Sequence, residues 1–551
     1  MTSTSSIETI KREQLKIKDD EEVNTLEVHL SQVLADSHDN ILPKKKLLIV
    51  FGALASALFL SFVDQNGITI ALPDIAEELD AQETVSWAGT SSLISQTVFM
   101  VLFGRFSDIF SRKYVLIASM VILSLSDLAC ALAQTPYQLY IFRGFSGIGN
   151  GGITSLSMMI VSDIVTLEER GKYQGILGSC VGLGNAIGPF LASAFITHTH
   201  SWRKFYFMLF PLVISGCTFI VWLVPYTHHK QDMKKQFSQI DVLGFLSSSV
   251  TIIFLLIPIS GGGSTYKWDS AFSIAFLCIG GVSFIVFLIV EKKFALLPMM
   301  PLHLFNTRVS LNFLFAQNFF FGICYFGMLY YIPFYLQSIR GFNTIDSSKY
   351  MLCMVFPQVF VSVISGQIIS RHKHYWHVVW FGYTFWTVGM GLLLLWGTTT
   401  PISITIGALV VTGCGIGATF QPTLIAVQAQ SYRKDRAIVI STRNVLRCFG
   451  GSVGLAVAST ILSNFYNQKL TNYGASYFSS EEVKSLKSQV FSIPSFDKYS
   501  LIQVQFLKNI YMESLKNVFY LWIGCIAFCL LSNATVRDTG LEPLQENVNE
   551  K

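Results

Sequence analysis

Apolar residues fill long runs of this chain, and nearly all of its charge lies between them. Fourteen runs are long enough to cross a bilayer: 47–72, 85–107, 114–134, 137–163, 173–197, 203–225, 241–260, 272–291, 311–337, 347–368, 376–396, 402–426, 436–464 and 515–534. About 30 Å of hydrocarbon takes roughly 20 mostly apolar residues in a helix. The pattern therefore predicts an all-α polytopic membrane protein with 14 transmembrane helices, whose solvent is lipid. Polar groups kept inside such spans are costly, which makes them the first candidates for function.

Composition agrees. Of 551 residues, 51% are hydrophobic and 13% are charged, whereas a soluble domain carries about 25% charged residues. The net charge of +5 is small, and the basic residues sit in short loops, so they read as topology signals rather than a nucleic-acid surface. Lys44, Lys45 and Lys46 precede span 1; Arg112 and Lys113 follow span 2; Arg170 and Lys172 follow span 4. The series continues with Lys230, Lys234 and Lys235, with Lys292, Lys293 and Arg308, with Arg371 and Lys373, and with Arg433, Lys434 and Arg436. All fall on one side, the expected cytosol. Asp74, Glu77, Glu78, Asp80 and Glu83 make an acidic loop on the other side. An even count of spans puts both termini in the cytosol.

This layout predicts a disordered cytosolic tail (1–43), a six-helix bundle (44–228), and a linker with two extra spans (229–308). A second six-helix bundle (309–535) carries a long non-cytosolic loop (466–514), and a cytosolic tail (536–551) ends the chain. The ten cysteines show no metal-ligand spacing and read as small buried hydrophobes. No P-loop or HExxH occurs. The chain is thus expected to be no enzyme, with no cofactor and no metal.

Several local motifs converge. Gly104 to Lys113, with Asp108 and Arg112, resembles the cytosolic signature between spans 2 and 3 of the major facilitator superfamily, although Ser111 stands where that family usually has glycine. Arg143 with Gly144, Gly147 and Gly149 is similar to its span-4 motif. Gly182, Gly184, Gly188 and Pro189 resemble its span-5 antiporter motif. Asp64 followed by Ala71-Leu72-Pro73 resembles the span-1 motif of the fourteen-span drug:proton antiporters, and Ser201-Trp202-Arg203 resembles the start of span 6 in that branch. The resemblance, which covers about residues 45–535, implies a major facilitator fold. That fold has two six-helix bundles, each built from inverted three-helix repeats, rocking about a central site, here with two additional linker helices.

Asp64 lies about eight residues inside span 1, or about 12 Å deep at 1.5 Å per residue. Arg143 lies about 9 Å deep from the same face. The two are expected to meet, with Asp64 as the proton-binding carboxylate, Arg143 as its partner and Asp127 of span 3 as a further candidate at the same depth. Gly104, Asp108, Arg112 and Lys113 are expected to form a conformational latch. Gly182, Gly184, Gly188 and Pro189 are expected to pack closely and bend span 5. Candidate cavity residues are Gln65, Asn66, Asn312, Gln317, Asn318, Tyr325, Gln358 and Gln421. Arg443 and Arg447, four apart on one helix face, lie within a few residues of the expected cytosolic end of span 13, near enough to snorkel there.

The expected function is a proton-coupled antiporter that exports small organic compounds, cationic or amphipathic, held by aromatic faces. The alternative, also a fungal resemblance, is a vacuolar proton antiporter for basic amino acids; a transporter-like nutrient sensor is the minor one. Expected partners are a small-molecule substrate, protons and the bilayer, with no nucleic acid, for a monomer in the plasma or vacuolar membrane.

Overall fold

The computed structural model describes residues 43–541, apart from 82–83, 86, 166, 225–240, 262–265, 295–299, 301, 433–434, 489 and 491–498. The N-terminal tail through residue 42, the last ten residues, the loop lysines 230, 234 and 235, Glu83, Arg433, Lys434 and the turn glycines Gly262 and Gly263 lie outside the described residues.

Among the described residues, fourteen long helices stand where the apolar runs predict them. They are α1 (Lys44–Glu78), α2 (Trp87–Phe110), α3 (Arg112–Leu132), α4 (Pro136–Ile164), α5 (Leu167–Thr199), α6 (Arg203–Leu223) and α7 (Val242–Gly261). The remainder are α8 (Ala271–Lys293), α9 (Val309–Phe334), α10 (Thr344–His372), α11 (Trp376–Leu393), α12 (Ile402–Phe420), α13 (Arg436–Tyr473) and α14 (Leu501–Ser532). Among the described residues, 11 are both long and apolar enough to cross a membrane by length and composition. α4 falls short in apolarity because it carries Arg143, Asn150 and a run of serines and glycines. Those polar groups face protein: Arg143, Asn150, Ser155 and Ser157 are fully buried.

Local chemistry sets several boundaries. Thr135 caps α4 and Pro136 occupies its first turn, where no N–H is needed. Ser500 and Gln503 form a reciprocal capping box at α14. Lys373 adopts φ 63° just past α10 and ends it. Pro189 inside α5 removes a helix hydrogen bond and permits a bend.

The outer surface is greasy. Trp222, Val282, Ile285, Leu531 and Phe360 are all more than half exposed, a pattern that a water-soluble chain avoids and that lipid favours. α7 and α8 pack on each other, and α7 also leans on α2 and α13.

The long stretch 466–514 between the last two spans carries helix among its described residues: α13 runs on to Tyr473, a further helix spans Ser480–Ser488, and α14 begins at Leu501. Charged residues such as Lys469, Lys508 and Glu513 interrupt the apolar pattern there, so hydropathy ends the spans before the helices do; Lys469 and Glu513 pair across the two extensions at 2.8 Å. Span 12 also departs from a single rod, since it breaks at Gln421 and resumes as Pro422–Ala429.

Candidate functional site

Among the described residues, buried polar side chains gather in several places, and two of these centres hold most of the predicted site residues. The first joins α1, α3 and α4. Asp64 and Arg143, both 0% exposed, meet with Arg143 Nη1 donating to Asp64 Oδ1 at 2.6 Å. The second carboxylate oxygen accepts from Asn150 Nδ2 at 2.7 Å, and Asn150 in turn accepts from Ser61 Oγ at 2.6 Å. Arg143 Nε donates to the Ala88 carbonyl at 3.4 Å, and its guanidinium lies 5.9 Å from the centroid of the Tyr206 ring.

Asp127 completes this centre. It is also 0% exposed, and neither carboxylate oxygen has a hydrogen-bond donor among the described residues. It lies within electrostatic reach of both Asp64 and Arg143. This centre thus sets two carboxylates against one guanidinium, a count that favours a bound proton, because an unpaired buried charge is expensive.

The second centre lies between the chain's two halves. Tyr325 of α9 accepts from Asn185 of α5 and, at 3.5 Å, from Gln358 of α10. Arg443 of α13 donates through Nε to Asn318 Oδ1 at 2.6 Å, through Nη1 to Asn444 Oδ1 at 3.0 Å, and through Nη2 to the Phe420 carbonyl. Arg447 lies one turn on, with its guanidinium 4.6 Å from the Phe420 ring centroid. Snorkelling does not occur: Arg443 and Arg447 are 0% and 2% exposed, because α9, α12 and the N-terminal half cover this face of α13.

Of the candidate cavity residues, Asn318, Tyr325, Gln358 and Gln421 gather at this second centre. Asn66 is bonded to Asn185 at 2.5 Å, and Gln65 to Gln96 of α2. Asn66 and Asn185 also line a cavity with Thr69, Pro189, Pro333 and Ser348. Two candidates point elsewhere. Asn312 donates to the Phe305 carbonyl at 2.6 Å, and Gln317 reaches α14 at Cys529 and Ser532. Both secure the C-terminal half to itself.

The small residues of α5 do what close approach requires. A Cβ on Gly184 would meet Phe62, and one on Gly188 would sit 2.6 Å from the Val63 carbonyl, so α1 and α5 touch backbone to backbone. Gly182 faces Val359 and Gln358 of α10. Further along, Gly171 abuts Gly366, and Gly175 accepts from Ser362 Oγ at 2.9 Å. The halves are therefore shut at the end that carries the basic loops.

The expected latch is only partly placed. Arg112 pairs with Asp163 at the end of α4, and Lys113 Nζ donates to the Val221 carbonyl at 2.8 Å, which covers the last turn of α6. Gly104 is buried within α2, and the Asp108 side chain lies outside the described residues. Ser111 holds φ 74°, the left-handed conformation that explains the usual glycine.

Sequence reasoning missed Asn150, Asn185 and Gln96. Asn150 was the findable one: it lies seven residues, two helical turns, beyond Arg143 and so on the same face.

Comparison with known proteins agrees with this architecture. Citrate exporter 1 of Yarrowia lipolytica is 46% identical over 517 residues, 94% of this chain and 76% of that protein. A multidrug transporter protein of Bacillus subtilis is 26% identical over 506 residues, 88% of this chain and 91% of the relative. The solved proton:xylose symporter superposes with a TM-score of 0.58 at 12% identity, covering 91% of this chain and 98% of that one; at that identity the likeness concerns the fold. Residues 54–455 match the Major Facilitator Superfamily. The chain belongs to that superfamily and is a multi-pass membrane transporter, not an enzyme.

Proposed function

We propose that this protein is a proton-coupled exporter of small organic carboxylates. The buried Asp64–Arg143 pair with Asp127 beside it carries the reading: a carboxylate cluster sealed from solvent, one counter-ion short, is suited to hold and exchange a proton as access alternates. In this account Asp64 is the pivot, Arg143 its switchable partner and Asp127 the second acid. The cargo class follows the citrate exporter relative. The expected preference for cations yields to that likeness.

The same reading divides the chain into residues 44–228, the two linker spans within 229–308, and 309–535, acting as a monomer with both termini in the cytosol. Arg112 and Lys113 serve the latch at the closed end. The membrane is the plasma or vacuolar one. Export of amphipathic compounds is a second reading, favoured by the aromatic cluster of Phe321, Tyr325, Phe326 and Phe420.

Inside-out vesicles holding the purified protein test this. An acidic lumen is expected to drive labelled citrate inward, and Asp64→Asn or Arg143→Lys to abolish the drive. Citrate flux that ignores the pH gradient contradicts the proposal; uptake of an organic cation or of lysine in its place favours the other readings.

A further inference from the structure

The second centre carries an assignment that the family likeness does not supply. We propose that Arg443 and Arg447 form the carboxylate-binding site for the cargo, with Arg447 as the free hand. The assignment rests on the export reading above.

The argument begins with charge. Positions four apart share a helix face, so α13 delivers two guanidinium groups side by side into the interior. Among the described residues, neither pairs with an aspartate or glutamate. Arginine stays protonated in proteins, and burying two such charges without an anion is costly.

The two differ in how they are held. Arg443 is saturated by neutral acceptors: Asn318, Asn444 and the Phe420 carbonyl, with Thr423 Oγ1 at 3.4 Å. It is a fixed charge. Arg447 has no acceptor for Nε or Nη1 and rests on the Phe420 ring. Its fork geometry matches a carboxylate in two parallel hydrogen bonds. Stacking on an aromatic face holds the group in place without using those donors.

The surroundings complete a site. Gln421 is 0% exposed, and both its amide nitrogen and its amide oxygen lack partners. The Tyr325 hydroxyl is within electrostatic reach of Arg447. A polyanion with hydroxyl groups would satisfy the guanidinium, the amide and the phenol together. The site also touches both halves: Asn185 of α5 bonds Tyr325, Gly178 of α5 packs on Gln421, and Asn444 Nδ2 lies 4.0 Å from Met158 Sδ of α4. A ligand held here is therefore in contact with elements that must separate when access alternates. A cation is repelled from the same place.

The division of labour is clear. The N-terminal centre has an excess of carboxylate and takes protons; the C-terminal centre has an excess of guanidinium and takes the anion.

Arg447→Gln and Arg447→Lys in reconstituted vesicles test the assignment, with citrate, acetate and lysine as probes. Arg447→Gln is expected to raise the half-saturating citrate concentration at least tenfold, as loss of a buried charge partner does. Citrate is expected to raise the melting temperature of the purified wild-type protein, and Arg447→Gln is expected to abolish that rise. Arg447→Lys keeps the charge without the fork. It guards against a folding failure and is expected to fall between the two. If wild type moves citrate and both variants bind it within twofold of wild type, the assignment is overturned while the export reading stands. If wild type moves no carboxylate, both fall together.

Discussion

Asparagine substitution at the two buried aspartates should have unequal consequences, and the geometry says by how much. Asp64→Asn removes the charge that receives Arg143 Nη1 at 2.6 Å. Arg143 could still donate to the amide oxygen but would lose its charged partner, and the new amide nitrogen would face Asn150 Nδ2, donor against donor. Breaking one side of a buried ion pair costs about 3–5 kcal/mol. Asp127→Asn removes no hydrogen bond from a donor, since neither oxygen has one. It also keeps the neutral form that a bound proton gives this side chain, so its cost is about 1 kcal/mol or less, the scale of one neutral hydrogen bond. Thermal unfolding of the purified proteins should therefore rank wild type close to Asp127→Asn and well above Asp64→Asn. In vesicles, Asp127→Asn should keep citrate–citrate exchange while losing response to a pH gradient, because a neutral amide cannot give up a proton. Equal destabilisation by both changes, or pH-driven flux at wild-type rate in Asp127→Asn, refutes the reasoning.

Three further outcomes follow from particular contacts. Ser111→Gly should stabilise the protein by about 1 kcal/mol, seen as a higher melting temperature, because φ 74° strains a residue with a Cβ. Gly366→Val would drive a side chain into the Gly171 carbonyl; it should cut citrate flux at least tenfold by preventing closure between α5 and α10, with protein still in the membrane. Tyr325→Phe removes the acceptor for Asn185 and Gln358, a loss of about 1–3 kcal/mol of buried hydrogen bonding, and should weaken citrate uptake severalfold in a saturation curve.

Much of the fold was legible because lipid imposes length and apolarity on every span. The meeting of Asp64 and Arg143 was legible too, since depth along a helix follows from 1.5 Å per residue. What escaped depends on rotation about the helix axis and on tertiary cover. Gln317 and Asn318 are adjacent in sequence, yet one braces α14 and the other receives Arg443. Arg443 and Arg447 looked free to reach the surface because nothing local shows that α9 and α12 roof them over. The helical extensions at the end of α13 and the start of α14 escaped because they leave the apolar zone and become charged while remaining helical.

The central claim is that cargo and protons compete through linked buried centres. Adding citrate to the purified wild-type protein in weakly buffered detergent solution measures it directly. The account predicts a release of protons that saturates with citrate and disappears in Asp127→Asn. Citrate binding that leaves the pH of the solution unchanged in wild type contradicts it.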